Sequence, residues 1–255
     1  MPDTSPNPPH RSVRRLRPAE ELLRSGERLY YDGEFLLAAR EFARARRHDP
    51  TLFAAWAGEV DACLQEGDLP GAEEVADEAI ASYGRVAVFY AAKALVLAHQ
   101  GFLKEASQHS DIAVEHDEGR TFTWLSRGEV MLASGGRGMM HSVEHCFARA
   151  AQHDQTHWRV HLRAALAYAR WGHPDRAIER LRQVADLRPA NPFVWQLIGD
   201  CRREQGESAM AREAYHAALS RRRDYLPAID ALRSMTLWGR LRERLARLLS
   251  RKRRT

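Results

Sequence analysis

The chain has 255 residues, 44% of them hydrophobic and 29% charged, which is enough apolar surface for a substantial core and excludes a wholly disordered protein. Cys63, Cys146 and Cys201 are too few and too far apart for a disulfide framework, which predicts a reducing, cytoplasmic setting. No window approaches the ~18 uncharged apolar residues of a membrane span, and residues 1–18 have no apolar signal core.

The net charge of +5 hides a division along the chain. Residues 1–18 hold four Arg against Asp3, and residues 221–255 hold twelve Lys or Arg against Asp224, Asp230 and Glu243. Those ends carry +3 and +9, so residues 19–220 are left at −7. Within that body residues 51–118 set thirteen acids against Arg85, Lys93 and Lys104. An acidic body with basic ends does not describe a nucleic-acid-binding face, so nucleic acid is disfavoured as the partner.

In chain order, the Pro- and Arg-rich residues 1–18 read as a disordered arm, and from Ala19 onward the sequence repeats. Small residues stand at Gly26, Val60, Ala94, Gly128, Ala165 and Gly199, spaced by 34, 34, 34, 37 and 34. Each is preceded by four positions by Leu22, Trp56, Tyr90, Trp124, His161 or Trp195, and followed by seven by Gly33, Gly67, Gly101, Gly135, Gly172 or Gly206. Five residues later comes Ala38, Ala72, Ala106, Ala177 or Ala211, with Val143 in the fourth unit after three extra residues. Between these marks apolar residues recur at helical spacing. The glycine falls where a first helix must end in left-handed backbone. Phe42, Phe147, Leu181 and Tyr215 fill the space that the small residues leave. Each unit is therefore a helical hairpin, apolar on two sides, that needs neighbours to cover it.

These marks resemble the tetratricopeptide repeat (TPR) family, with its 34-residue helix–turn–helix unit. Gly84, Glu118, Gln155 and Arg223 depart from it where a terminal Pro is often found, and His161 departs at a bulky apolar position. The resemblance implies an all-α, right-handed α-solenoid of six units, at 19–52, 53–86, 87–120, 121–157, 158–191 and 192–225. It also implies a non-catalytic adaptor or scaffold that holds a peptide or helix of a partner protein in its concave groove, without a cofactor. By helical phase that groove includes Glu27 and Tyr31 of the first unit, Asp61 and Gln65 of the second, and Val88 and His99 of the third. The partner-binding set is expected to be Phe122, Ser126, Arg159, Leu162, Arg163, Leu166, Arg170 and Arg203. An apolar middle and a basic end suit a segment with an apolar stretch followed by acids. The Lys and Asn carboxylate clamp of the chaperone-tail subset is not present. The alternative reading of the same arginines is that they pair with acids of neighbouring helices.

Beyond the repeats, Leu226–Met235 predicts a helix packed on the last hairpin, and residues 237–255 carry a leucine stripe in a basic sequence. The two segments read as caps over the last apolar face. Residues 237–255 alternatively form a basic amphipathic helix on an anionic membrane surface, with Trp238 at the interface and Arg251, Lys252, Arg253 and Arg254 on phosphates, or a tail for nucleic acid. That reading would place the protein at the inner face of a membrane. No catalytic motif is present. His141 and His145, and His157 and His161, have the four-residue spacing of helical metal ligands, but nothing in the sequence completes a tetrahedral set, so no metal is expected. The turn Ser134–Ser142, with three extra residues and three glycines, reads as a flexible tip.

Overall fold

The computed structural model describes residues 17–116, 121–135, 138–154 and 157–236, and every regular element among them is an α-helix. In chain order these are α1 (Pro18–Tyr31), α2 (Phe35–His48), α3 (Phe53–Glu66), α4 (Leu69–Tyr83), α5 (Ala87–Gln100) and α6 (Leu103–His116). They are followed by α7 (Thr121–Ala133), α8 (Met140–Gln152), α9 (His157–Arg170), α10 (Pro174–Leu187), α11 (Pro192–Glu204) and α12 (Ser208–Arg221). A last helix, α13, spans 226–236. Consecutive helices pair as hairpins, and successive hairpins stack on one another. The architecture is a TPR-type α-solenoid, as the repeat in the sequence requires. No described helix is long and apolar enough to cross a membrane.

The hairpin turns follow from the recurring glycine. Gly33, Gly67, Gly101, Gly135, Gly172 and Gly206 all have φ between +63° and +90°, a region where a side chain would strain the backbone. At Gly67 the turn closes by two bonds, Gly67 N–H to the Leu64 carbonyl (3.3 Å) and Asp68 N–H to the Cys63 carbonyl (2.9 Å). The orphan carbonyls at the end of α3 are thereby satisfied.

Packing within each hairpin explains the small mid-helix residue. A Cβ placed on Gly26 would lie 2.7 Å from the Phe42 ring, on Gly128 2.5 Å from Phe147, and on Gly199 2.5 Å from Tyr215. Where the first position is Val60 or Ala94, the facing position is itself small and buried, Ala76 or Ser110. The summed size of each pair is held in bounds, as a close-packed interior demands. Gly128→Ala should gain about 1 kcal/mol of helix propensity and lose more to the clash with a buried ring. We expect a net destabilisation of about 1–2 kcal/mol in urea unfolding, relieved by adding Phe147→Leu.

Arginines tie hairpins together from outside. Arg46 of α2 donates to Glu59 (2.6 Å) and Glu78 (3.0 Å) of the second hairpin, and its guanidinium lies 4.5 Å from the Trp56 ring centroid. Trp56 in turn donates its indole N–H to the Pro50 carbonyl at 2.9 Å. At the far end α13 covers the sixth hairpin. Tyr225 and Ala228 are buried there, Leu232 and Met235 pack on the core, and the Tyr225 hydroxyl donates to Gln196 at 2.9 Å. The arm up to residue 16 and the basic segment with Trp238, Arg251, Lys252, Arg253 and Arg254 lie outside the described residues.

The array does not stay open. It curls until the first hairpin meets the fifth and sixth. Tyr31 packs edge-on against Trp158 (centroids 5.0 Å apart), and Phe35 likewise against Phe193 (5.7 Å). Gly33 approaches Phe193 so closely that a Cβ would sit 2.5 Å from its ring. Asn191 is buried and has two roles: its side-chain oxygen accepts from Phe193 N–H to cap α11, and its amide donates to the Tyr31 carbonyl, each at 2.9 Å. One apolar core joins the first hairpin and Ala62 of the second to the fourth, fifth and sixth units as a result. In a simple solenoid each repeat touches only its neighbours.

Candidate functional site

The curl brings the first helices of the hairpins face to face, and at their centre lies a half-open cavity of about 200 Å³. Leu23, Tyr31, Val88 and Phe122 supply apolar walls, and Glu27, Asp61 and Arg163 supply the charges. Arg163 reaches from α9 across the interior to hydrogen-bond the buried Asp61 of α3. Its guanidinium also lies 4.9 Å from the Phe122 centroid and 5.7 Å from that of Tyr30. Beside it Arg159 pairs with Glu27 at 3.0 Å and lies over Tyr31. Further along α9, Arg170 donates to the Leu64 carbonyl (3.3 Å) and to Gln65 (2.9 Å). The row of arginines on α9 is therefore stitched to the first and second units.

Electrostatics at this centre follow from burial. The pKa of the Tyr31 phenol is pushed up to about 12 by desolvation, opposed by the nearby Arg163 and Arg159. Tyr30 is also raised, by desolvation first and the Asp61 charge second. Its buried hydroxyl lies against Asp61 without a well-formed hydrogen bond, and the Ser126 hydroxyl is likewise buried without a partner. Next to the cavity, Glu129 accepts from His99 (3.2 Å) and from the Trp171 indole (3.4 Å). Burial would raise the Glu129 pKa, but those hydrogen bonds and the His99 and Arg170 charges outweigh it, so the carboxyl sits below its ordinary value. A depressed carboxylate stabilises the fold fully above its unfolded pKa of about 4.3 and loses that contribution as pH falls through the lower folded value. Glu129→Gln should therefore flatten the acid limb of a urea-midpoint profile below about pH 4.3 while removing stability at neutral pH.

The residues expected from the sequence fall into three groups. Phe122 and Arg163 line the cavity, with Arg159 at its edge and Arg170 beyond. Leu162, Leu166 and Ser126 are buried in the packing between helices and present no contact surface, because the tight curl closes the inner helices on one another. Arg203 lies apart, exposed and 3.6 Å from Asp200. Among the histidines, His161 faces Arg180 (3.3 Å) and His145 packs against Trp124, while His141 and His157 are exposed. No group of three metal-ligating side chains is assembled among the described residues. The cysteines are buried thiols, with Cys63 and Cys201 pushed up to about 12 by desolvation and nearby carboxylates. Thiols held that high are poor nucleophiles at neutral pH.

Sequence phase missed Leu23 and Tyr30 as part of the site. Tyr30 reads as core, and the cavity exists only because the ends of the array converge. The faint signal was the acid–base complementarity of Glu27 and Asp61 with Arg159 and Arg163, spaced 132 and 102 residues apart.

No protein-family model matches the chain, and no curated protein does. Among solved structures, it is similar to PilW, a widely conserved type IV pilus biogenesis factor, at 12% identity and a TM-score of 0.49, covering 86% of this chain and 100% of that one. A thermophilic TPR protein of Thermus thermophilus matches at 22% identity and a TM-score of 0.48, covering 86% and 99%. A chain of the APC/C hetero-tetramer Cut9-Hcn1 matches at 17% and 0.46 over 85% of this chain, which spans 42% of that one. Likenesses at this level bear on neither partner nor activity.

Proposed function

We propose that this TPR-type solenoid is a non-catalytic scaffold that holds a partner protein by seating one bulky apolar side chain in the cavity lined by the first five units. The observation that carries this reading is the cavity itself. At about 200 Å³ it is smaller than the roughly 300–1,000 Å³ of cofactor sites, and its walls are apolar with its charges already paired. Such a lining recognises an apolar body and its flanking charges. The partner's segment continues with acidic residues that compete with Glu27 and Asp200 for Arg159 and, farther along, Arg203, which are 34% and 49% exposed. Arg163 stays with Asp61 and shapes the floor.

The test is affinity capture with mass spectrometry on the full chain, on Phe122→Glu, and on the Arg159→Glu, Arg203→Glu double variant. A protein held by the wild type and lost by both variants, each with unchanged helical circular dichroism, supports the reading. A synthetic segment of that protein should then bind with the same pattern in fluorescence polarisation. Equal retention by all three baits overturns it.

A further inference from the structure

A second site arises where the first hairpin meets the fifth and sixth, away from the concave cavity. The seam leaves a pocket of about 470 Å³ lined by Asp32 of the first turn, by Arg188 and the loop up to Pro192, and by Arg221 and Arg222 at the end of α12. These arginines are held differently from those elsewhere in the array. Arg46, Arg159, Arg163 and Arg180 are each fixed by a carboxylate. In the seam, Arg188 lies over Trp158 at 4.7 Å, Arg221 over Trp195 at 4.2 Å, and Arg222 over Tyr225 at 4.4 Å. Arg221 is further anchored through backbone carbonyls, donating to Pro189 (2.5 Å) and Ala217 (2.7 Å). Neither Arg188 nor Arg221 forms an ion pair among the described residues; the ion pair of Arg222 there is with Glu34, at 3.7 Å, on the rim.

A guanidinium stacked on a ring keeps its positive charge while losing the freedom to swing away; Arg221 uses Nε and Nη1 on Pro189, Ala217 and Ser220, which leaves its Nη2 donors for a ligand. Three guanidiniums around one pocket, against one lining carboxylate, leave the walls at +2. That charge and a fork of fixed donors match a phosphate monoester, which carries about −1.5 to −2 at neutral pH with three acceptor oxygens.

We propose that the seam pocket binds a phosphate monoester group, carried either by a soluble ligand or by a lipid headgroup. It rests on none of the residues of the concave cavity.

The full chain would be titrated calorimetrically with inorganic phosphate, using chloride of equal ionic strength as the control. In parallel it would be sedimented with phosphatidylcholine vesicles containing phosphatidic acid, or phosphatidylserine at equal surface charge. Arg188→Gln with Arg221→Gln should weaken phosphate or phosphatidic acid binding about tenfold or more, with the unfolding midpoint little changed. Asp32→Asn removes a repelling charge and should tighten binding about threefold, a gain that a misfolded variant cannot give. Saturable binding of free phosphate with this pattern assigns a soluble ligand. The same pattern on phosphatidic acid vesicles alone, above the phosphatidylserine level, assigns a lipid headgroup. The proposal is overturned if chloride matches phosphate and phosphatidylserine also matches phosphatidic acid, or if the seam variants leave both probes unchanged.

Discussion

Asp61→Ala should destabilise the protein by about 3–5 kcal/mol, lowering its melting midpoint by about 6–20 °C at about 2–4 °C per kcal/mol for a chain of this size. The reason is what the substitution leaves behind. Asp61 is buried, and Arg163 reaches it across the whole interior of the curl. Without the carboxylate, a guanidinium remains among Tyr30, Phe122 and the cavity wall with no counter-ion. Its side chain is still 18% exposed, so the cavity lets some water reach it, and the loss should fall toward the lower end of the range. The Asp61→Leu, Arg163→Met double variant removes both charges and should recover most of the stability, because a buried pair exchanged for apolar groups is often neutral. If the two single losses simply add in the double variant, the pair is not coupled.

The second large effect is expected at the closure. Phe193→Ala should cost about 3–5 kcal/mol, as for other buried aromatic truncations, and the distribution of that loss matters as much as its size. Phe193 belongs to the sixth unit but packs against Phe35 and the Gly33 turn of the first. Hydrogen exchange should therefore quicken in α1 and α2 as well as in α11 and α12. Asn191→Asp refines the same test: it keeps the acceptor that caps α11 and removes the donor to the Tyr31 carbonyl. Exchange in the first hairpin should rise again while α11 stays protected. Quickening confined to α11 and α12 in both variants would mean that the closing contacts contribute little energy.

The repeat was legible in the sequence because its causes are local. A glycine that must be left-handed, a small residue opposite an aromatic ring and a helical stripe all lie within one 34-residue window, and the glycine recurs in all six units. Gly128 with Phe147 and Gly199 with Tyr215 can be paired by counting alone. The curl was not legible, because it depends on the small rotation between hairpins summed over the array, and no residue type encodes that sum. Tyr31, Asn191 and Phe193 look like ordinary hairpin residues until their partners are known. Helical phase placed Arg159, Arg163 and Arg170 on the inner face; the structure then gave them internal acceptors at Glu27, Asp61 and Gln65. It also took Leu162 and Leu166 out of reach, since residues on the inner edge of a tightly wound array become core.

The closing contacts also change how the molecule would answer a mechanical load. An open solenoid pulled at its two ends stretches like a soft spring, each hairpin yielding a little against its neighbour and none acting as a latch. Here the load path from α1 to α13 is short-circuited by the Tyr31–Trp158 and Phe35–Phe193 contacts and the Asn191 bond. Extension has to begin with their rupture. The array would resist as a stiff loop up to a threshold force and lengthen as a spring only after that fastening gave way.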